Sequence, residues 1–121
     1  MDSEQLKGRF KQFSLRIIKM VDRMPNTISG NAIARQIVRS GTSPAANYRA
    51  ACLGKSDRDF LNKLKMVEEE LDETIQWIEI IMDSNMIEAD RMVDLKKEAV
   101  ELYKIIVSSI ITLKARQTKQ V

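Results

Sequence analysis

Apolar residues recur three and four positions apart through most of this chain, in four separate runs. That spacing gathers them on one side of an α-helix and predicts four amphipathic helices. The first run extends from about Ser3 to Arg23, with Leu6, Phe10, Phe13, Ile17, Met20, Val21 and Met24 on its stripe. Ser3 is placed to cap it. The Met24-Pro25-Asn26 stretch ends it, because proline disfavours helical geometry in the residue before it. The second run starts near Ser29 and reaches about Leu53, with Ile33, Ile37, Gly41, Pro44, Tyr48, Ala51 and Cys52 on its stripe. Several of these are small, so a neighbouring helix can approach closely. Pro44 removes one backbone hydrogen bond and clashes with the turn before it. Either the helix kinks near Gly41 to Pro44, or it breaks and restarts with Ser43 as its cap. One kinked helix is expected.

Gly54-Lys55 interrupts the pattern, and Ser56 then caps a third helix with Asp57 and Asp59 in its first turn. Its stripe is Phe60, Leu64, Val67, Leu71, Ile75, Ile78 and Met82, widened by Met66 and Trp77, and it ends around Asp83 to Asn85. A fourth helix is predicted from about Glu88 to Ala115, with Leu95, Ala99, Leu102, Tyr103, Ile106, Ile110 and Leu113 inward. The connections are short, so neighbouring helices must run in opposite directions. The predicted fold is all-α: an antiparallel up-down-up-down four-helix bundle over residues 1–115, with a kinked second helix. Residues 116–121 carry little apolar pattern and are expected to fray.

Composition narrows the chemistry. A chain of 121 residues is one domain and can bury a core without staples. Histidine is absent, which removes histidine metal sites, the Ser-His-Asp triad and histidine general-base catalysis. Cys52 is the single cysteine and points to a reducing compartment. The start, MDSEQLKGRF, has no signal-peptide pattern, and no apolar stretch is long enough to cross a bilayer. A cytoplasmic protein without membrane contact is expected.

The net charge of +3 conceals an asymmetry. Residues 1–23 hold six basic and three acidic side chains; residues 23–55 hold five basic ones and no acid; residues 56–84 hold three basic and nine acidic. Two accounts stand. The basic second helix and the acidic third helix pair along their edges, or the acids simply solvate the third helix; alternatively, the first two helices and the C-terminal tail form a basic surface for a polyanion. In the second account Arg35, Arg39, Arg49 and Lys55 are the candidate nucleic-acid contacts, and Asn31 and Thr42 share a stripe with the three arginines.

Glu70 lies at the edge of the third apolar stripe, where a carboxylate needs a partner. Arg39 or Arg49 is placed to supply it, with a local pair to Lys63 or a solvated carboxylate as the alternatives. Ser40, Ser43 and Asn47 lie beside the core stripe of the second helix, as a polar site or as hydroxyls repairing backbone groups near Pro44. Glu69, Glu70 and Glu73 lack the histidines of a di-iron bundle site, so no metal or other cofactor is expected. Acid–base catalysis by Glu70 and Glu73 is a remote alternative, and no enzyme is expected. Leu15, Ile18, Ile105, Val107 and Ile111 lie off the main stripes, and burial in a homo-oligomer accounts for them most simply.

The stretch Gln36-Ile37-Val38-Arg39-Ser40-Gly41-Thr42-Ser43-Pro44-Ala45-Ala46-Asn47 resembles the Q-x-x-R-S-x-x-S-x-x-x-N segment of a bacterial four-helix-bundle family. So do Asp59–Leu64 and Glu69–Glu79. The family comprises proteins encoded in intervening sequences of 23S ribosomal RNA genes. It is similar to the accessory variability determinant proteins of diversity-generating retroelements. The resemblance implies a bundle that assembles into a ring, typically a homopentamer, without known enzymatic activity. Its retroelement branch implies binding of RNA or DNA and of a reverse transcriptase. The positions matching a shared polar cluster are Arg39, Ser40, Ser43, Asn47, Glu70 and Glu73. The alternative function is a structural or protein-interaction module that binds no nucleic acid.

Overall fold

The computed structural model describes residues 1–119. Four long helices account for most of them: α1 (Ser3–Val21), α2 (Ile28–Cys52), α3 (Asp57–Asp83) and α4 (Val93–Lys119). A short 3-10 turn, Ala89–Arg91, precedes α4. There is no strand among the described residues, so the chain has the content of an all-α four-helix bundle.

Local chemistry sets the helix ends. Asp2, rather than Ser3, caps α1: its carboxylate accepts from the Gln5 backbone N–H at 2.8 Å, and the Gln5 side chain accepts from the Asp2 N–H at 3.0 Å. This reciprocal box satisfies two otherwise orphaned donors, which a serine at position 3 would not do alone. Thr27 caps α2 and Ser56 caps α3. At the end of α3, Asn85 takes a left-handed φ of 58°. The Met86 N–H then returns to the Ile81 carbonyl and the Asn85 N–H to the Met82 carbonyl, which closes the helix.

Two boundaries differ from the periodicity. α4 begins at Val93, because the 3-10 turn takes up Ala89–Arg91. It also continues past Ala115 to Lys119 rather than ending there; Arg116 lies 4.0 Å from Asp57 of α3. The fraying expected of Gln120 and Val121 falls outside the described residues. α2 is one helix through Pro44, so the restart at Ser43 does not occur. Pro44 is buried and costs the single bond to the Ser40 carbonyl.

The core contains Phe10, Phe13 and Ile17 from α1, Ile37 from α2, Leu64, Leu71 and Ile78 from α3, and Leu102 and Ile106 from α4. Phe10 stacks at a tilt on Tyr48, with ring centroids 5.3 Å apart. On α3 the stripe is displaced slightly from the predicted one. Leu61, Thr74 and Ile81 are buried, while Phe60, Ile75 and Met82 are half-buried. Gly41 lets Ile17 of α1 pack directly on the α2 backbone.

Candidate functional site

The polar cluster assembles across α2 and α3. The Arg39 guanidinium reaches Glu70 Oε2 at 3.0 Å and donates a second hydrogen bond to Glu73 Oε2. Lys63 makes no ion pair with Glu70. Glu73 Oε2 also accepts from the Trp77 indole N–H at 3.0 Å. The indole and the Arg39 fork hold the Glu73 carboxyl below its usual range, while the carboxylates hold Arg39 more firmly protonated. One turn inward, the Ser40 and Thr74 hydroxyls lie 2.9 Å apart, fully buried, and Thr74 donates to the Glu70 carbonyl at 2.8 Å. Arg39, Ser40, Glu70 and Glu73 are therefore neighbours.

Ser43 and Asn47 have different surroundings. The Ser43 hydroxyl donates to the Arg39 carbonyl at 2.7 Å, and Thr42 donates to the Val38 carbonyl at 2.6 Å. Both bonds serve the turn just before Pro44, not the Ser40 carbonyl that proline leaves without its usual donor. Asn47 is half-buried on α2. The cluster is an interhelical clamp with carboxylates neutralised by a guanidinium. Among the described residues, no group of three or more His, Cys, Asp or Glu is placed to hold a metal ion.

The other cations fall into separate places. Arg35 and Lys55 are exposed. Arg49 lines a groove of about 370 Å³ between α1 and α2 with Lys7, Lys11, Glu4 and Gly8. Lys7 is paired with Glu4 at 2.9 Å. Arg9, on the other flank of α1, forms a two-pronged bridge to Glu98 of α4, at 2.6 and 3.1 Å. Near the end of α1, Arg16, Lys19 and Arg23 converge with Arg91 on a cleft of about 280 Å³. A third groove, about 560 Å³, carries Lys96, Lys97 and Lys104 around Met82, Val93 and Val100.

The first helix was expected within the basic surface but none of its cations individually, because their residue spacing scatters them around the helix; only packing against α2 and α4 sorts them into grooves. The basic count over residues 1–23 was the available signal. Trp77 was expected as packing, yet its indole N–H belongs to the clamp. Of the aliphatic residues expected outside the core, Leu15 and Ile18 are each 44% exposed and Ile111 63%, whereas Ile105 packs on the core and Val107 is half-buried. No described helix is long and apolar enough to cross a membrane.

Comparison with known proteins agrees with this architecture. A crystal structure of a protein of unknown function from the S23 ribosomal protein family of Bacteroides thetaiotaomicron VPI-5482 is similar, with a TM-score of 0.81 and 30% identity over 87% of this chain and 97% of that one. No curated protein matches the sequence. The model of the 23S rRNA-intervening sequence protein family matches residues 5–108, through all of α2 and α3 and most of α1 and α4. The chain belongs to the 23S rRNA-intervening sequence protein family.

Proposed function

We propose that this protein is a non-catalytic, homo-oligomeric antiparallel bundle that binds the backbone of RNA or DNA along α1. One observation carries the binding: Lys11, Arg16, Lys19 and Arg23 have no ion-pair partner among the described residues. Lys11 lies with Arg49 in the groove between α1 and α2, and Arg16, Lys19 and Arg23 gather with Arg91 on the cleft beside α4, so phosphates are met on both flanks of α1. Arg39, by contrast, spends its charge on Glu70 and Glu73. The phosphate-facing surface proposed here runs over α1 and the adjoining Arg49 and leaves out Arg39, while Arg35 and Lys55 stay exposed beside it without an ion pair among the described residues.

Phe10, Phe13 and Tyr48 are buried, and Phe60, Trp77 and Tyr103 pack against the core. No aromatic face stands ready to stack a base, which favours backbone contact without sequence reading. The antiparallel direction is supported by pairs that run in opposite chain order: Phe10 with Tyr48 and Ile17 with Gly41, then Asp57 with Arg116 and Glu79 with Lys96. The exposed Leu15, Ile18 and Ile111 support self-association, and the family resemblance favours a pentamer.

The test is binding of a structured RNA and a DNA duplex across a salt series. Affinity should fall steeply with salt, and each of Lys11→Ala and Arg49→Ala should lower the duplex log–log slope by about 0.9. Absence of binding at low salt would sink the nucleic-acid proposal. A stable oligomer without binding would instead favour a protein-interaction module, for which the same exposed aliphatic residues speak. Light scattering that returns 13.9 kDa at all concentrations would sink self-association.

A further inference from the structure

The cleft at the end of α1 differs from the other grooves in chemistry. Three of its four cations are arginines, Arg16, Arg23 and Arg91, with Lys19 beside them. A guanidinium offers planar, forked donors that match tetrahedral oxyanions in pairs, whereas an ammonium acts as a point charge. One carboxylate, Asp94, lines the same cleft. Glu88 lies 3.6 Å from Arg91 in an exposed pair. Arg16, Lys19 and Arg23 are left without an acid partner among the described residues.

The wall behind these cations is firm. Met20, Ile87, Met92 and Leu95 line the cleft and belong to the buried core. The cations are therefore mounted beside packed elements: Arg16 and Lys19 on α1 and Arg23 in the turn after it, facing Arg91 on the 3-10 turn before α4. Like charges held together in this way repel one another, and a bound polyanion removes that repulsion. The cleft is open to solvent and offers about 280 Å³. That is room for a phosphate group or two linked ones.

We propose that this cleft is a binding site for a phosphate group, carried by a small phosphorylated ligand or by a nucleic-acid strand. The proposal goes beyond the binding of nucleic acid along α1, because a small phosphate compound would occupy the cleft even if no strand binds.

The test uses the full chain and inorganic pyrophosphate as the probe, followed by backbone amide NMR and by thermal unfolding. Saturable shifts should appear around Arg16–Arg23 and Ile87–Lys96, with a rise in melting temperature. Sodium chloride at matched ionic strength should reproduce neither. The double variant Arg16→Ala/Arg23→Ala, at two exposed positions, should bind pyrophosphate at least tenfold more weakly, and Lys65→Ala/Lys114→Ala, at two exposed positions outside the cleft, should leave it unchanged. Equal shifts with sodium chloride, or undiminished binding by the Arg16/Arg23 variant, would overturn the site. RNA that competes with pyrophosphate, and is itself weakened by the Arg16/Arg23 changes, would identify a strand as the source of the phosphate. Saturable pyrophosphate binding without RNA binding would uphold the cleft while rejecting the nucleic-acid function.

Discussion

Replacing Gly41 with alanine should destabilise the protein, while the same change at Gly8 should stabilise it. Both glycines lie inside helices, where alanine is favoured by about 1 kcal/mol. At Gly8 a new Cβ meets nothing within 4 Å, so that gain is realised. At Gly41 the Cβ would lie 2.8, 2.9 and 3.0 Å from Ile17 Cγ1, Cγ2 and Cδ1. Carbon atoms prefer about 3.5–4.0 Å, so Ile17 must retreat by nearly an ångström. It is fully buried and β-branched, with one strongly preferred helical rotamer, so α1 and α2 must move apart instead. Overpacking of this kind costs about 1–3 kcal/mol. Set against the helix gain, Gly41→Ala should lose about 1 kcal/mol, or about 4 °C in melting temperature for a chain of this size. Urea unfolding at fixed protein concentration measures it, and Ile17→Ala supplies the control because it deletes all three colliding atoms. In that background Gly41→Ala should become stabilising, giving a coupling of about 1–3 kcal/mol in the double-mutant cycle. If Gly41→Ala is as stabilising as Gly8→Ala, the close approach of α1 to α2 is wrong.

Thr74→Val should cost about 1–3 kcal/mol by leaving the buried Ser40 hydroxyl without its partner. Adding Ser40→Ala should recover part of that loss in urea unfolding, and simply additive losses would contradict the pairing. Glu73 has a lowered folded pKa, so its stabilising contribution is complete above the unfolded value of about 4.3 and is lost as pH falls through the folded one. The stability advantage of wild type over Glu73→Gln should therefore hold above about pH 4.3 and shrink as pH falls below it; a pH-independent difference would refute the charge-assisted clamp. Arg39→Ala should lower stability by roughly 1 kcal/mol, as expected of a half-exposed ion-pair network. It should leave the salt slope of RNA binding unchanged, and a slope reduced by about 0.9 would place Arg39 on a phosphate instead.

The helical class and the four-segment order were legible because each apolar stripe follows the period of a helix. The interhelical Arg39–Glu70 contact was legible for a related reason: a carboxylate at a core edge needs a cation, and α2 offers few. Glu73 and Trp77 join the same contact through their spacing of one helical turn, but nothing in a linear pattern says that the indole N–H points at the carboxylate. The α1 cap was misassigned to Ser3 because a serine preceding an apolar run is a generic signal. The Asp2–Gln5 reciprocity becomes decisive only once the backbone turns.

By itself the sequence determined the helices, the stripe each would bury and the exclusion of histidine chemistry, since these depend on residue type and local spacing. Tertiary structure decided where the remaining charge stands. Arg39 lost its freedom to two carboxylates from another helix, and Arg16, Lys19 and Arg23 acquired Arg91 as a neighbour from a turn 68 to 75 residues away. Local periodicity assigns a side chain to a face. Whether that face meets an acid, a cation or solvent depends on the helix packed against it, and that is a property of the assembled bundle alone.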